Sequence, residues 1–274
     1  MKKTIGNRKN WKDMIGVLIV ASLSLLIARQ MIDSTSSLWT KADSVQENSF
    51  TGKETGTNTL LAEPVPLEIA ALLKERETVI DYVQETTAVY AIISHSGRSD
   101  YGELLVIFQK NKSGIWERSY ENDFKELKPW KIEVADIDGD GISEILTAVY
   151  KTTHFDEEER NRMFIFNYID GILTKKWTGS DIAGNWNDFI VGDLLPMKGD
   201  ELIFTQETDG KLEKISIYYW FDFGFLLLAD SESYSDIQSV NILKENRLEL
   251  KVSTGEKTRV ILTLKDNKIV EVTD

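Results

Sequence analysis

Four carboxylates at regular spacing lie in 131-KIEVADIDGDGISEILTAVY-150, where Asp136, Asp138, Asp140 and Glu144 stand with two glycines between runs that alternate apolar and polar residues. Asp136, Asp138 and Asp140 take positions 1, 3 and 5 of a tight loop. Gly141 at position 6 permits a sharp bend that leaves the Ile142 carbonyl free to point inward, and Glu144 stands at position 9. Carboxylates at odd positions converge when the backbone curls, and hard oxygen ligands in this number suit calcium. The expected ligand set is therefore Asp136, Asp138, Asp140, Ile142 and Glu144, with Ca2+ as the cofactor. An EF-hand is excluded, because Thr147 occupies its twelfth position and the flanking runs are strand-like. The spacing serves a single ion rather than the two faces of a sugar. The plain alternative is an ion-free Asp–Gly turn, against which stands the mutual repulsion of four carboxylates with no nearby counter-charge.

Other chemistry is sparse. His95 and His154 sit in the loop-like contexts 94-SHSG-97 and 152-TTHFDEEER-160, and the chain has no cysteine. This rules out disulfides, thiolate zinc sites and cysteine nucleophiles. No Gly-rich phosphate loop, zinc-binding helix motif or nucleophile elbow is present. The expectation is a protein that is not an enzyme. Of the net charge of −13, residues 1–32 contribute +5, so the remainder carries −18. A body this acidic repels phosphate backbones, which excludes nucleic acid and favours divalent cations.

The loop is held by a repeated unit. The segments 105-LVIFQKNKSGIWERSY-120, 163-MFIFNYIDGILTKKW-177, 216-SIYYWFDFGFLLLAD-230 and 259-RVILTLKDNKIVEV-272 each read as strand, tight turn and strand. Gly114, Gly171 and Gly224 mark the first three turns, and Asp266 and Asn267 the fourth. Two further strand-like runs precede each hairpin: 78–83 and 88–94, 131–136 and 144–150, 189–193 and 201–207, 239–243 and 247–252. Four units of four strands tile Thr78 to Val272 with a period of about 49 residues, as propeller blades do. The expected fold class is all-β, a propeller-like array of about four four-stranded antiparallel blades over 78–274.

With its strand placement in hand, the run Asp136 to Glu144 followed by Ile145 to Val149 resembles the calcium loop of FG-GAP repeats, found in integrin alpha-chain propellers and many bacterial surface proteins. The resemblance implies a loop joining the first and second strands of a blade. The third copy, 193-DLLPMKGDE-201, keeps Asp193 and Glu201 at positions 1 and 9 but has Leu195 and Met197 where carboxylates belong, as if the turn had lost its ion. The first and fourth copies have no acidic loop. Four blades is low for this family, so a small closed ring, an open array and half of a larger assembly all stay open.

Upstream, 14-MIGVLIVASLSLLIA-28 follows five basic residues and continues to Ile32, which reads as an uncleaved signal anchor with its N-terminus cytoplasmic and the body outside. Residues 33–63, rich in Ser, Thr, Gly and Asn, read as a linker. Residues 64–77, with Pro66 ahead of good helix formers, read as a short helix covering one side of the domain. The expected function is a single-pass, membrane-anchored extracytoplasmic binding or scaffolding module with structural calcium and a protein or glycan ligand. The alternatives are an envelope enzyme acting on polysaccharide and a subunit of a larger membrane complex.

Overall fold

The computed structural model describes residues 64–272, apart from 98, 180–181 and 255–256. The expected anchor and linker, 1–32 and 33–63, lie outside the described residues. Among the described residues no helix is long and apolar enough to cross a membrane.

The described residues form sixteen strands, the inner ones near-continuous apolar runs buried on both faces and the outer ones alternating apolar with polar, and tight turns fold them into four antiparallel meanders. The first sheet is β1 (Thr78–Gln84), β2 (Ala88–Ser94), β3 (Leu104–Lys110) and β4 (Trp116–Asp123). The second is β5 (Pro129–Ala135), β6 (Glu144–Lys151), β7 (Arg160–Ile169) and β8 (Ile172–Gly179). β9 (Trp186–Gly192), β10 (Glu201–Thr208), β11 (Leu212–Phe221) and β12 (Gly224–Asp230) form the third. The fourth is β13 (Ile237–Leu243), β14 (Arg247–Thr254), β15 (Lys257–Lys265) and β16 (Lys268–Glu271). All four expected units are present, an arrangement compatible with propeller blades.

The units share an irregularity that strand periodicity does not reveal. The register of each first strand slips by one residue near its start, at Ile80, Trp130, Asn187 and Gln238. The fourth strands of the first three sheets slip at Ser119, Lys176 and Leu228. Such bulges re-aim the side chain of the extra residue, and Lys176 owes its position to one. Turn chemistry follows the sequence at Asp170–Gly171 and Asp266–Asn267, where both central residues have positive φ, as a type I′ hairpin turn requires. Gly224 differs from expectation. The positive φ of that hairpin falls on Asp222, and Gly224 is the first residue of β12, paired with Phe221. A Cβ on Gly224 would lie 3.4 Å from the indole nitrogen of Trp177, an ordinary contact, so neither a bend nor lack of space requires glycine here.

The sheets pack face to face in chain order. Ile92, Leu105 and Ile107 of the first meet Ile132, Ile145 and Phe166 of the second. Leu146, Met163 and Ile165 meet Trp186, Phe189 and Phe204, and Ile203, Ile215 and Ile217 meet Leu248, Leu250 and Leu262. Among the described residues no apolar cluster joins the fourth sheet to the first. The two ends of the row are finished differently. Val65, Ile69, Leu72 and Leu73 cover the outer face of the first sheet, packing on Val89, Val106 and Phe108. The fourth sheet turns Asn241, Glu249, Lys251 and Arg259 outward, with Glu249 paired to Arg259.

The covering segment is less helical than its composition predicts. The helix α1 is a single turn, Leu67–Ala70, entered from Pro66. Beyond it Arg76 adopts a positive φ, and the Glu77 carboxylate accepts the Lys74 amide at 2.7 Å and both terminal nitrogens of Arg118 at 2.7 and 2.9 Å. Burial raises the Glu77 pKa, but the Arg118 and Lys74 contacts outweigh it and hold the carboxyl below its ordinary value. This pair ties the end of the cap to β4.

Candidate metal centre in the second sheet

The loop between β5 and β6 starts where Ala135 pairs with Glu144. Its backbone winds around its own carboxylates. The Asp136 carboxylate accepts the amides of Asp140 at 3.1 Å and Gly141 at 2.8 Å, Asp138 accepts the Asp140 amide at 3.2 Å, and Asp140 accepts the Ile142 amide at 2.8 Å. Glu144, fully buried, accepts the amide of Ile137 at 3.1 Å and so closes the loop on itself. The corresponding loop of the third sheet supports it from the side. The Asp200 amide donates to the Asp136 carbonyl at 2.8 Å, and the Asp136 amide to the Asp200 carboxylate at 3.2 Å. Gly139 and Gly199 allow this approach: a Cβ on Gly199 would stand 2.4 Å from the Ile137 carbonyl oxygen, and one on Gly139 2.9 Å from the Gly199 nitrogen.

Of the expected ligands, Asp136, Asp138 and Glu144 converge, each offering an oxygen within 4.8 Å of the others. Asp140 is outside that group, with one oxygen engaged by the Ile142 amide, and the Ile142 side chain is exposed. The expectation of carboxylates without a counter-charge is corrected. Lys176, the bulge residue of β8, places its ammonium 2.5 Å from Asp138 and 2.7 Å from Glu144, over the ring of Trp220 at 5.5 Å. Burial lifts the Glu144 pKa, helped by the Asp138 charge and opposed by Lys176 and the Ile137 amide, and the net direction is up. For Lys176, burial acts downward but the two carboxylates prevail and stabilise the ammonium. One cation thus pairs with two of the four carboxylates, Asp138 and Glu144.

The third sheet repeats the loop without the charge. Leu194 and Leu195 are buried, and Glu201 accepts their amides at 2.9 and 3.0 Å, as Glu144 accepts that of Ile137. At the bulge position of Lys176 stands Leu228, packed against the cluster that includes Leu194. Among the described residues no cation pairs with Glu201. Burial pushes its carboxyl up to about 7, with Asp193 and Asp200 adding and the two amides opposing. The position-9 glutamate is thus a loop closer in both sheets, and the lysine is peculiar to the second.

Elsewhere, His95 pairs with Glu103 at 3.2 Å and His154 lies edge-on to Phe155. Sequence reading missed Lys131, buried on β5, whose ammonium meets Asp188 at 2.7 Å and the Phe189 carbonyl at 2.6 Å. Its only sequence signal is a lysine at the start of an apolar strand.

No protein-family model matches the chain, and neither does any curated protein. Among solved structures it is similar to "a putative 6-phosphogluconolactonase" from Bacteroides uniformis, with 11% identity and a TM-score of 0.48, covering 81% of this chain. A second, with the same description and from Bacteroides fragilis, has 10% identity and a TM-score of 0.36 over 70% of this chain and 68% of that one. The chain spans 58% of the length of the first. Both descriptions name an enzyme, and the expectation that the chain is not an enzyme is withdrawn. At these TM-scores they assign no activity to it.

Proposed function

We propose that the described domain is a binding module of the cell envelope, tethered outside the membrane by its N-terminal segment, and that the loop of the second sheet takes calcium as a structural ion. The observation behind this reading is the convergence of Asp136, Asp138 and Glu144 oxygens within 4.8 Å, the span of two calcium–oxygen bonds of about 2.4 Å. Asp140 and the Ile142 carbonyl complete the set, and calcium displaces the Lys176 ammonium to solvent. The finer kinship with FG-GAP repeats belongs to this reading and rests on the nine residues from Asp136 to Glu144. The test is calcium titration of the purified full chain by calorimetry: saturable uptake lost in Asp138→Ala/Asp140→Ala supports it, and no heat of binding refutes it.

The Lys176 contacts favour a second reading, in which the ammonium is the loop's permanent cation. Lys176→Met separates the two. If calcium competes with the ammonium, the variant binds calcium more tightly. If the lysine is permanent, the variant loses stability and calcium does not restore it.

Placement outside the cell is tested by adding protease to intact cells. Release of a fragment containing Thr78–Asp274 supports it, and protection until lysis refutes it. Incubation with cell-wall glycans distinguishes saturable binding without product from turnover by an envelope enzyme.

A further inference from the structure

Each sheet presents its fourth strand as an outer edge, so the protein offers four comparable edges: β4, β8, β12 and β16. A strand edge with unpaired N–H and C=O groups invites pairing with another chain, and charge placed on it is the usual safeguard. β4 carries Glu117, Arg118, Glu121 and Asp123, β8 carries Lys175 and Lys176, and β16 begins at Lys268 and ends at Glu271. β12 reads GFLLLAD, with no charge before Asp230. Leu226 and Leu227 are 45% and 49% exposed, and the adjoining turn adds Phe221 at 61% and Phe223 at 82%.

Hairpin geometry fixes which backbone groups of this edge face out. Phe221 pairs with Gly224 across a two-residue loop, and Tyr219 pairs with Leu226. Hydrogen-bonded and non-hydrogen-bonded pairs alternate from the closing pair. Gly224 and Leu226 therefore bond inward to β11, while Phe225 and Leu227 direct their N–H and C=O away from the sheet. The bulge at Leu228 ends the regular edge.

We propose that β12 pairs antiparallel with β12 of a second copy of this chain, with Phe225 of each opposite Leu227 of the other and Leu226 on the two-fold axis. Such pairing is self-complementary, as a two-fold interface demands, and it forms four main-chain hydrogen bonds. Charge locates the contact. Beyond residue 32 the chain carries −18, so two copies repel over most of their surfaces, and β12 is the edge where that repulsion is least. At the ends of the seam Asp222 of one copy comes near Asp230 of the other, whose carboxylate already holds the Lys214 ammonium at 2.7 Å. That ammonium meets the incoming carboxylate. A lipid surface fits poorly, because Asp222 separates the two exposed phenylalanines and anionic headgroups repel an acidic body.

The absence of cysteine makes the seam directly testable in the full chain, in native membranes. Across a non-hydrogen-bonded antiparallel pair the Cα atoms lie about 4.5 Å apart, within the roughly 4.4–6.8 Å that a disulfide bridges. Under mild oxidation L226C should give a disulfide-linked dimer in at least tenfold greater yield than I115C, placed on the 63% exposed tip of the first sheet. Adding L227K, which sets two like charges across the seam at a half-exposed position, should reduce that yield to the I115C level. A yield for L226C no greater than for I115C, or one that L227K leaves unchanged, overturns the proposal.

Discussion

Replacing Glu201 by glutamine should flatten the pH dependence of stability between about pH 4.5 and 7. In the folded protein this buried carboxyl titrates at about 7 against an ordinary 4.5, so between those values the folded state holds a proton that the unfolded chain has released. Stability then falls as pH rises, because the unfolded state binds fewer protons. The full effect is about 2.5 pH units at roughly 1.36 kcal/mol each, or about 3 kcal/mol by neutral pH. For a domain of this size that is roughly 6–12 °C in melting temperature. Glutamine keeps an oxygen for the Leu194 and Leu195 amides and has no charge to bury. Urea denaturation of both proteins at steps from pH 4.5 to 8 is the assay. The curves should separate progressively, with the variant gaining as pH rises. Asp200, whose pKa burial also raises, leaves a smaller slope of the same sign in both. Parallel curves would refute the claim that Glu201 is buried without a cation. Leu228→Lys, which builds the Lys176 arrangement into the third sheet, should remove the same slope by pairing instead of neutralisation.

Calcium at about 100 times its dissociation constant should stabilise the chain by ~2.7 kcal/mol, or roughly 5–11 °C, in scanning calorimetry, and Asp138→Ala/Asp140→Ala should abolish that response. Asp193→Ala should leave calcium affinity unchanged by calorimetric titration, since Leu195 and Met197 offer no carboxylates to the third-sheet loop. Gly199→Ala forces a Cβ to 2.4 Å from the Ile137 carbonyl at a φ of +89°, and urea melts should show a loss of about 1–3 kcal/mol or more. Ile69→Ala, at a fully buried position of the covering segment, should cost about 2–5 kcal/mol in the same melts.

The strands were legible because two physical signals coincide in them: short apolar runs, alternating with polar residues in the outer strands and continuous in the inner ones, and turns whose residues tolerate positive φ, as at Asp170–Gly171 and Asp266–Asn267. The winding of the backbone around Asp136 was legible for the same local reason. Lys176 was not. It lies 38 residues from Asp138, and it faces the loop because a bulge turns it there, which alternation alone cannot show. The Gly139–Gly199 contact was hidden for another reason, since it needs the packing of adjacent sheets to bring two turns together. The covering helix was overestimated because the composition of 67–73 favours helix, whereas the chain leaves it after Ala70 and reaches β1 through a positive φ at Arg76, with Glu77 held by Arg118 of β4.

The row of sheets, capped by residues 65–73 at one end and left with a polar face at the other, makes the domain nearly one-dimensional in its energetics. Each sheet's stability is then its own plus that of the interfaces with its neighbours. The first sheet is held on both faces, by the cap and by the second sheet, whereas among the described residues the fourth has its apolar contacts with the third. Opening should therefore begin at the C-terminal end. Amide hydrogen exchange should rank β13–β16 as the fastest cooperative unit and the inner strands of the second sheet as the slowest. The polar end also has a consequence for how the domain can change over generations. Among the described residues the outward face of the fourth sheet carries Asn241, Glu249, Lys251 and Arg259, so a change there leaves the apolar interfaces between the other sheets as they are.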